Sequence, residues 1–175
     1  MSTPLESKQL AKILTYLGTL PFWYGILSAL NLTPLTLELN SHLQPFDISQ
    51  VLMIYTLVIL SFIAGIHWGF ALNFHEDLDL SGANHAESVS SKGQLSNRLL
   101  ISSNVIALWA WIVVAFFEDY QAWLGLAIGF VVLLLIDKAW IKLDQSIPWF
   151  WTLRWHASLI AITCLLMNAM MNGIL

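Results

Sequence analysis

Charge is what this sequence most lacks. Seven Lys and Arg and eleven Asp and Glu make up only 10 % of its 175 residues, and the formal net charge is −4. A soluble domain of that length needs far more polar surface to cover its core. The shallow negative balance also excludes a basic face for nucleic acid. Cysteine occurs once, as Cys164 inside an apolar run, which rules out an intrachain disulfide and a thiolate zinc site. There is no Gly-rich phosphate loop, no G-x-S-x-G elbow and no H-E-x-x-H pair. We expect no enzyme, no cofactor and no metal centre on those grounds.

Apolar residues fill the space that charge leaves. The hydrophobic fraction is 58 %, the mean hydropathy +0.72, and there are nine tryptophans and nine phenylalanines. These fall into five apolar segments, at about 13–30, 51–72, 99–117, 123–136 and 153–175. Core helices of a soluble bundle carry a polar face, and these carry almost none. The expected fold is therefore all-α, a single domain of five transmembrane helices. Lys8 and Lys12 before the first segment resemble a secretory signal, but the run is long and lacks an A-x-A site, so a retained helix is expected.

The segment 51–72 organises the rest. At ~1.5 Å per residue it reaches about 33 Å, the thickness of a bilayer's hydrocarbon. Ser61, Gly65 and Gly69 recur every fourth residue and form a strip without bulk. Such a strip lets a second helix approach closely. It is expected to pack against another helix of the chain, another membrane protein or a second copy, with membrane lipids as the remaining partners.

Basic residues set the orientation. Lys8 and Lys12 precede the first segment, Lys92 and Arg98 separate the second from the third, and Lys138, Lys142 and Arg154 separate the fourth from the fifth. The positive-inside rule then puts the N-terminus in the cytoplasm and the C-terminus outside. The loop 75–97, acidic and rich in Ser and Gly, reads as a flexible linker. Loop 31–47 reads as lying on the outer interface. Tryptophans at segment ends, among them Trp123, Trp140, Trp149, Trp151 and Trp155, read as an aromatic belt. Residues 148–151 read as a short amphipathic stretch on the inner surface.

Five polar groups fall in the cytoplasmic half: His67, Asn104, Asp137, Arg154 and His156. His67 lies roughly 8 Å deep. Asp137 and Arg154 make a natural charge pair, and Asp137 is expected to be taken by Arg154 or Lys138. His67 is left to Asn104 or His156. Ionisable groups at such depth either bind helices together or handle protons, and both readings stand at this stage. His67 with His156 also raises a bis-histidine b-haem reading, and the acidic loop has a metal-ligand composition without zinc-type spacing.

The stretch LSFIAGIHWGFAL, residues 60–72, resembles the signature of a family of short multi-pass proteins of bacteria and mitochondria. That family is grouped as a domain of unknown function and includes the transmembrane-protein-sixty-nine group. Pro21–Phe22, Asp137, the Pro148–Trp149–Phe150 opening and Arg154 follow in the same order; the long acidic loop departs from the pattern. The resemblance implies the ciprofloxacin-tolerance type of inner-membrane protein, whose loss weakens the envelope barrier. The N-terminal stretch has Glu6 and no arginine, unlike a mitochondrial presequence, so the expected address is a bacterial inner membrane.

Overall fold

The computed structural model describes residues 4–30, 48–80, 86–142 and 146–174. In chain order these form α1 (Pro4–Gly18), α2 (Leu20–Ala29), α3 (Ile48–Leu80), α4 (Ala86–Phe116), α5 (Asp119–Ile136), a π turn (Asp137–Ile141) and α6 (Pro148–Ile174). No strand occurs among the described residues. Four helices are long and apolar enough to cross a membrane, over Ser49–Asn73, Lys92–Phe116, Tyr120–Ile141 and Pro148–Met171. The chain is a multi-pass membrane protein.

The first apolar segment is not the unbroken helix that its hydropathy predicts. It divides at Thr19, whose φ of −87° and ψ of −10° fall between α1 and α2. Pro21 explains the division. Its missing N–H and its ring disfavour helical continuity through the preceding residues. The Thr19 N–H turns to the Tyr16 carbonyl at 3.0 Å instead, and its hydroxyl donates to the same oxygen at 2.8 Å.

The two short helices nevertheless run alongside α6 in the same direction. Lys8 Nζ lies 5.8 Å from the centre of the Trp149 ring, Tyr16 Oη lies 3.5 Å from His156 Nδ1, and Gly25 abuts Cys164. α1 and α2 thus cover most of the height of α6 as one broken pass. α3 returns antiparallel to them: the Tyr55 hydroxyl donates to the Gly18 carbonyl at 2.6 Å, and Leu52 packs on Gly25. α4 is antiparallel to α3, pairing Ser96 with the Ala71 carbonyl at 3.0 Å. α5 follows antiparallel to α4, with Trp109 Nε1 donating to the Gly125 carbonyl at 2.9 Å. This alternation brings the basic residues of α1, the start of α4, the π turn and the start of α6 to one end.

α5 is the most enclosed helix, half buried over its span. Trp123, Leu126, Phe130 and Leu133 fill the centre, and Phe22 meets Phe130 and Tyr55 edge-on at ring separations of 6.4 and 5.5 Å. Burial of such rings between helices is dispersion-driven here, because lipid tails are as apolar as the core. Trp123 is therefore a core residue, fully buried with its indole N–H unpartnered, and leaves the expected aromatic belt.

Two further expectations are corrected. Residues 75–80 and 86–97, read as a flexible linker, continue α3 and open α4 as helix. Extending an existing helix needs no new nucleus, so polar composition alone did not separate helix from coil. Residues 148–151 do not lie apart from the last helix, because Pro148 opens α6, the helical position that proline suits best. Loop 31–47 lies outside the described residues.

The close helix contacts occur at glycines other than the predicted strip. A Cβ on Gly125 would stand 2.8 Å from both methyls of Val113, and one on Gly129 would stand 2.6 Å from Leu60 Cδ2. A Cβ on Gly65 or Gly69 meets nothing within 4 Å, and both glycines are exposed. Val113 is buried and its β-branched side chain cannot swing both methyls away. Gly125→Ala should therefore destabilise the protein by about 1–3 kcal/mol, whereas Gly65→Ala should leave the single chain unaffected. Thermal melts of the purified variants test this, and equal melting temperatures would contradict the packing described.

Candidate functional site

Four buried polar residues converge at the basic end of the bundle. His67 comes from α3, Ser102 from α4, Asp137 from the π turn and Arg154 from α6, and they are 0, 7, 1 and 5 % exposed. Each sits on the inward face of its helix because the residues one turn away are also core: Ala64 and Ala71 flank His67, and Leu99 and Ile106 flank Ser102. Asp137 is delivered by a local irregularity. The regular helix ends at Ile136, and the backbone widens into a π turn that closes on Lys142, a non-glycine residue at φ 50°. Single π turns inside helices recur at functional sites.

Asp137 is the node. Its Oδ1 accepts from His67 Nε2 at 2.9 Å. Its Oδ2 pairs with Arg154 Nε, an attraction of charges without hydrogen-bond alignment. On the other side of the imidazole, His67 Nδ1 lies 3.2 Å from Ser102 Oγ, and that hydroxyl is also 3.0 Å from the Leu99 carbonyl. Arg154 Nη2 is buried and has no partner.

The sequence-predicted cluster thus divides. His67, Asp137 and Arg154 meet; Asn104 and His156 do not join them. Asn104 is exposed and turns back to the Leu100 carbonyl at 2.9 Å, and His156 is exposed beside Tyr16. Asp137 is shared between Arg154 and His67 rather than taken by the arginine alone. Lys138 is exposed. Sequence reasoning missed Ser102, one of three adjacent polar residues with Ser103 and Asn104, of which it singled out only Asn104. Of the small-residue strip, Ser61 is half-buried, and Gly65 and Gly69 face outward.

The order Ser102, His67, Asp137 has the connectivity of a hydrolytic triad. It differs where chemistry matters. Ser102 is buried, and its hydroxyl also reaches the Leu99 carbonyl at 3.0 Å. Arg154 also occupies the second carboxylate oxygen. Nor does His67 pair with His156 about a common axis, since both of its ring nitrogens are engaged by protein groups. Among the described residues no group of three His, Cys, Asp or Glu has the arrangement of a metal site. The arrangement links α3, α4, the π turn and α6 to one another through a buried, charge-balanced pair and two hydrogen bonds.

Residues 7–170 match the model of a family described as "Protein of unknown function (DUF3429)". No curated protein and no solved structure matches the chain.

Removing one member of a buried ion pair strands the other, at about 3–5 kcal/mol, whereas replacing both with apolar groups is far milder. Asp137→Asn should accordingly cost most of that amount and lower the yield of folded protein. The double variant Asp137→Leu, Arg154→Met should melt at a higher temperature than Asp137→Asn. Ser102→Ala, which breaks one neutral hydrogen bond, should cost about 0.5–1.5 kcal/mol. Melting temperatures in one detergent rank the three, and a double variant less stable than Asp137→Asn would remove the pair from its structural role.

Proposed function

The chain belongs to the DUF3429 family, and we propose that it is a non-enzymatic protein of the bacterial inner membrane that supports the envelope's permeability barrier. Tolerance to fluoroquinolones follows from that role. The resemblance of residues 60–72, and of the later Asp137 and Arg154, to the ciprofloxacin-tolerance type supports the barrier role. The observation that carries the non-enzymatic reading is the Ser102–His67–Asp137–Arg154 network. The Asp137 carboxylate and both imidazole nitrogens of His67 are buried and engaged by other protein groups, as in a fixed scaffold. Partners in this reading are membrane lipids, and another membrane protein or a second copy at the outward face of Gly65 and Gly69.

Orientation belongs to the same proposal. The clustering of basic residues at one end favours that end as cytoplasmic, with the C-terminus outside. Reporter fusions should then be cytoplasmic at Ser90 and Gln145 and external at Ser41, Asp119 and Leu175. An external signal at Ser90 would invert the arrangement.

One observation favours a second reading, a small proton-coupled carrier. His67 is bonded directly to a carboxylate at 2.9 Å, the contact through which a proton relay would work. Substitutions at His67 separate the two. A glutamine amide offers a donor to Asp137 and an acceptor for Ser102, so a scaffold should keep most of its function with His67→Gln. His67→Leu should cost about 0.5–2 kcal/mol of stability. Glutamine exchanges no proton in the physiological range, so in a carrier it should be as inactive as leucine. Protein level and envelope permeability in a deletion strain give the answer. An abundant, folded and inactive glutamine variant would replace the scaffold reading with the carrier.

A further inference from the structure

Among the described residues, α1 brings nothing to the core. None of residues 7–18 is buried, whereas every other helix supplies buried residues. Leu10, Ile13, Leu14 and Leu17 stand at i, i+3, i+4 and i+7, the spacing of a packing stripe, yet each is more than half exposed. The side turned inward carries only the half-buried Ala11, Thr15 and Gly18. Even there the fit is open: a Cβ on Gly18 would meet only the Tyr55 hydroxyl, at 3.8 Å.

Beneath α1 lies a cavity of about 230 Å³. Leu14, Thr15 and Gly18 form one side of it with Thr19, and α3 and α6 form most of the rest, through residues such as Ile63 and Ala157. Two surface contacts tie the arm of α1 to α6. Lys8 stands over the Trp149 ring at 5.8 Å, and Tyr16 Oη lies 3.5 Å from His156 Nδ1, at the limit of hydrogen bonding. Contacts of both kinds are weak where water or headgroups compete.

The joint at Thr19 is loosely bonded. Pro21 has no N–H to give the Leu17 carbonyl, and the Phe22 N–H donates to the Thr19 carbonyl at 3.0 Å. The Gly18 carbonyl accepts instead from the Tyr55 hydroxyl of α3, at 2.6 Å. Tyr55 thus holds the pivot and leaves the arm beyond it to the two surface contacts. Elements with few buried contacts open before the rest of a fold, and a few residues at an element's end absorb such a rotation.

We infer that α1 is a hinged strap that turns about Thr19 and sets the width of the cavity beneath it, while α2 and the rest of the bundle stay in place. From Thr19 to Lys8 the arm is about 16 Å long, so a turn of ~20° carries Lys8 through about 6 Å. The outward leucines face lipid in both positions, so the motion brings no apolar surface into water. No member of the Ser102–His67–Asp137–Arg154 network lies on α1. The strap is therefore independent of the barrier role, and of the scaffold and carrier readings alike.

The test measures distances between paired nitroxide labels by pulsed electron resonance, on the full chain in lipid nanodiscs. Cys164→Ala removes the native thiol, so labels attach only at introduced cysteines. One pair, Lys12→Cys with Lys138→Cys, reports the arm of α1 against the π turn. A second, Arg98→Cys with Lys138→Cys, reports α4 against the same point, and all three positions are exposed. The first distance distribution should be at least twice as wide as the second. Pro21→Ala returns an N–H to the Leu17 carbonyl and makes the first pass one continuous helix. It should narrow the arm's distribution to the width of the α4 pair. If that variant does not fold, the comparison of the two pairs decides alone. An arm distribution as narrow as that of α4 would overturn the inference, and so would a wide one that a folded Pro21→Ala variant leaves unchanged.

Discussion

A carboxylate enclosed by apolar helices has to be surrounded by donors, and Asp137 is such a carboxylate, 1 % exposed. Both of its oxygens are committed, one to His67 and one to Arg154. Few degrees of freedom survive that condition. Arg154 must arrive from α6 at the height of the π turn, which sets the register of α6 against α5. His67 must arrive from α3, and its second nitrogen then draws Ser102 and α4 to the same level. The remaining packing can be made of interchangeable apolar side chains because the polar node has already fixed which helix stands beside which. In hydrocarbon, dispersion alone distinguishes poorly between one apolar face and another.

The same condition accounts for what was legible in the sequence. Long apolar runs betray spans because a bilayer demands length, and four of the five segments became helices able to cross one. Asp137 and Arg154 were legible as a pair because opposite charges at one depth have few other partners. Asn104 and His156 sat at the right depth and still fell outside the site. Each stands two positions from a member, Ser102 and Arg154 respectively, and two positions turn a helix by about 200°. Depth was readable from sequence; azimuth was not. The broken first pass had its signal in Pro21. The glycine strip had a smooth face without any indication of which side that face would take.

Helix direction links the polar node to the charge pattern along the chain. Each pass reverses the one before it, so the starts of α1, α4 and α6 and the π turn share an end. Every basic residue lies in α1, in the first half of α4 or α6, or in the π turn and the Lys142 that caps it. Arg154 is the exception in kind. Lys8, Lys12, Lys92, Arg98, Lys138 and Lys142 are exposed, whereas Arg154 is drawn inward by Asp137. One arginine has thus been taken from the flank that orients the protein and placed within its core.

Proton counting at the node constrains how it can change. Ser102 has one hydroxyl proton and two acceptors in reach, the Leu99 carbonyl at 3.0 Å and His67 Nδ1 at 3.2 Å. With Nε2–H donating to Asp137, a ring bearing one proton leaves Nδ1 as an acceptor, and the hydroxyl must turn toward it. A ring bearing two protons donates from Nδ1, and the hydroxyl must turn to Leu99 instead. The proton inventory of the imidazole and the orientation of Ser102 are therefore one variable, not two. A proton cannot enter or leave His67 without a hydrogen bond being exchanged on α4. Scaffold and carrier differ physically in whether that exchange occurs during function, since the contacts on which both depend are the same.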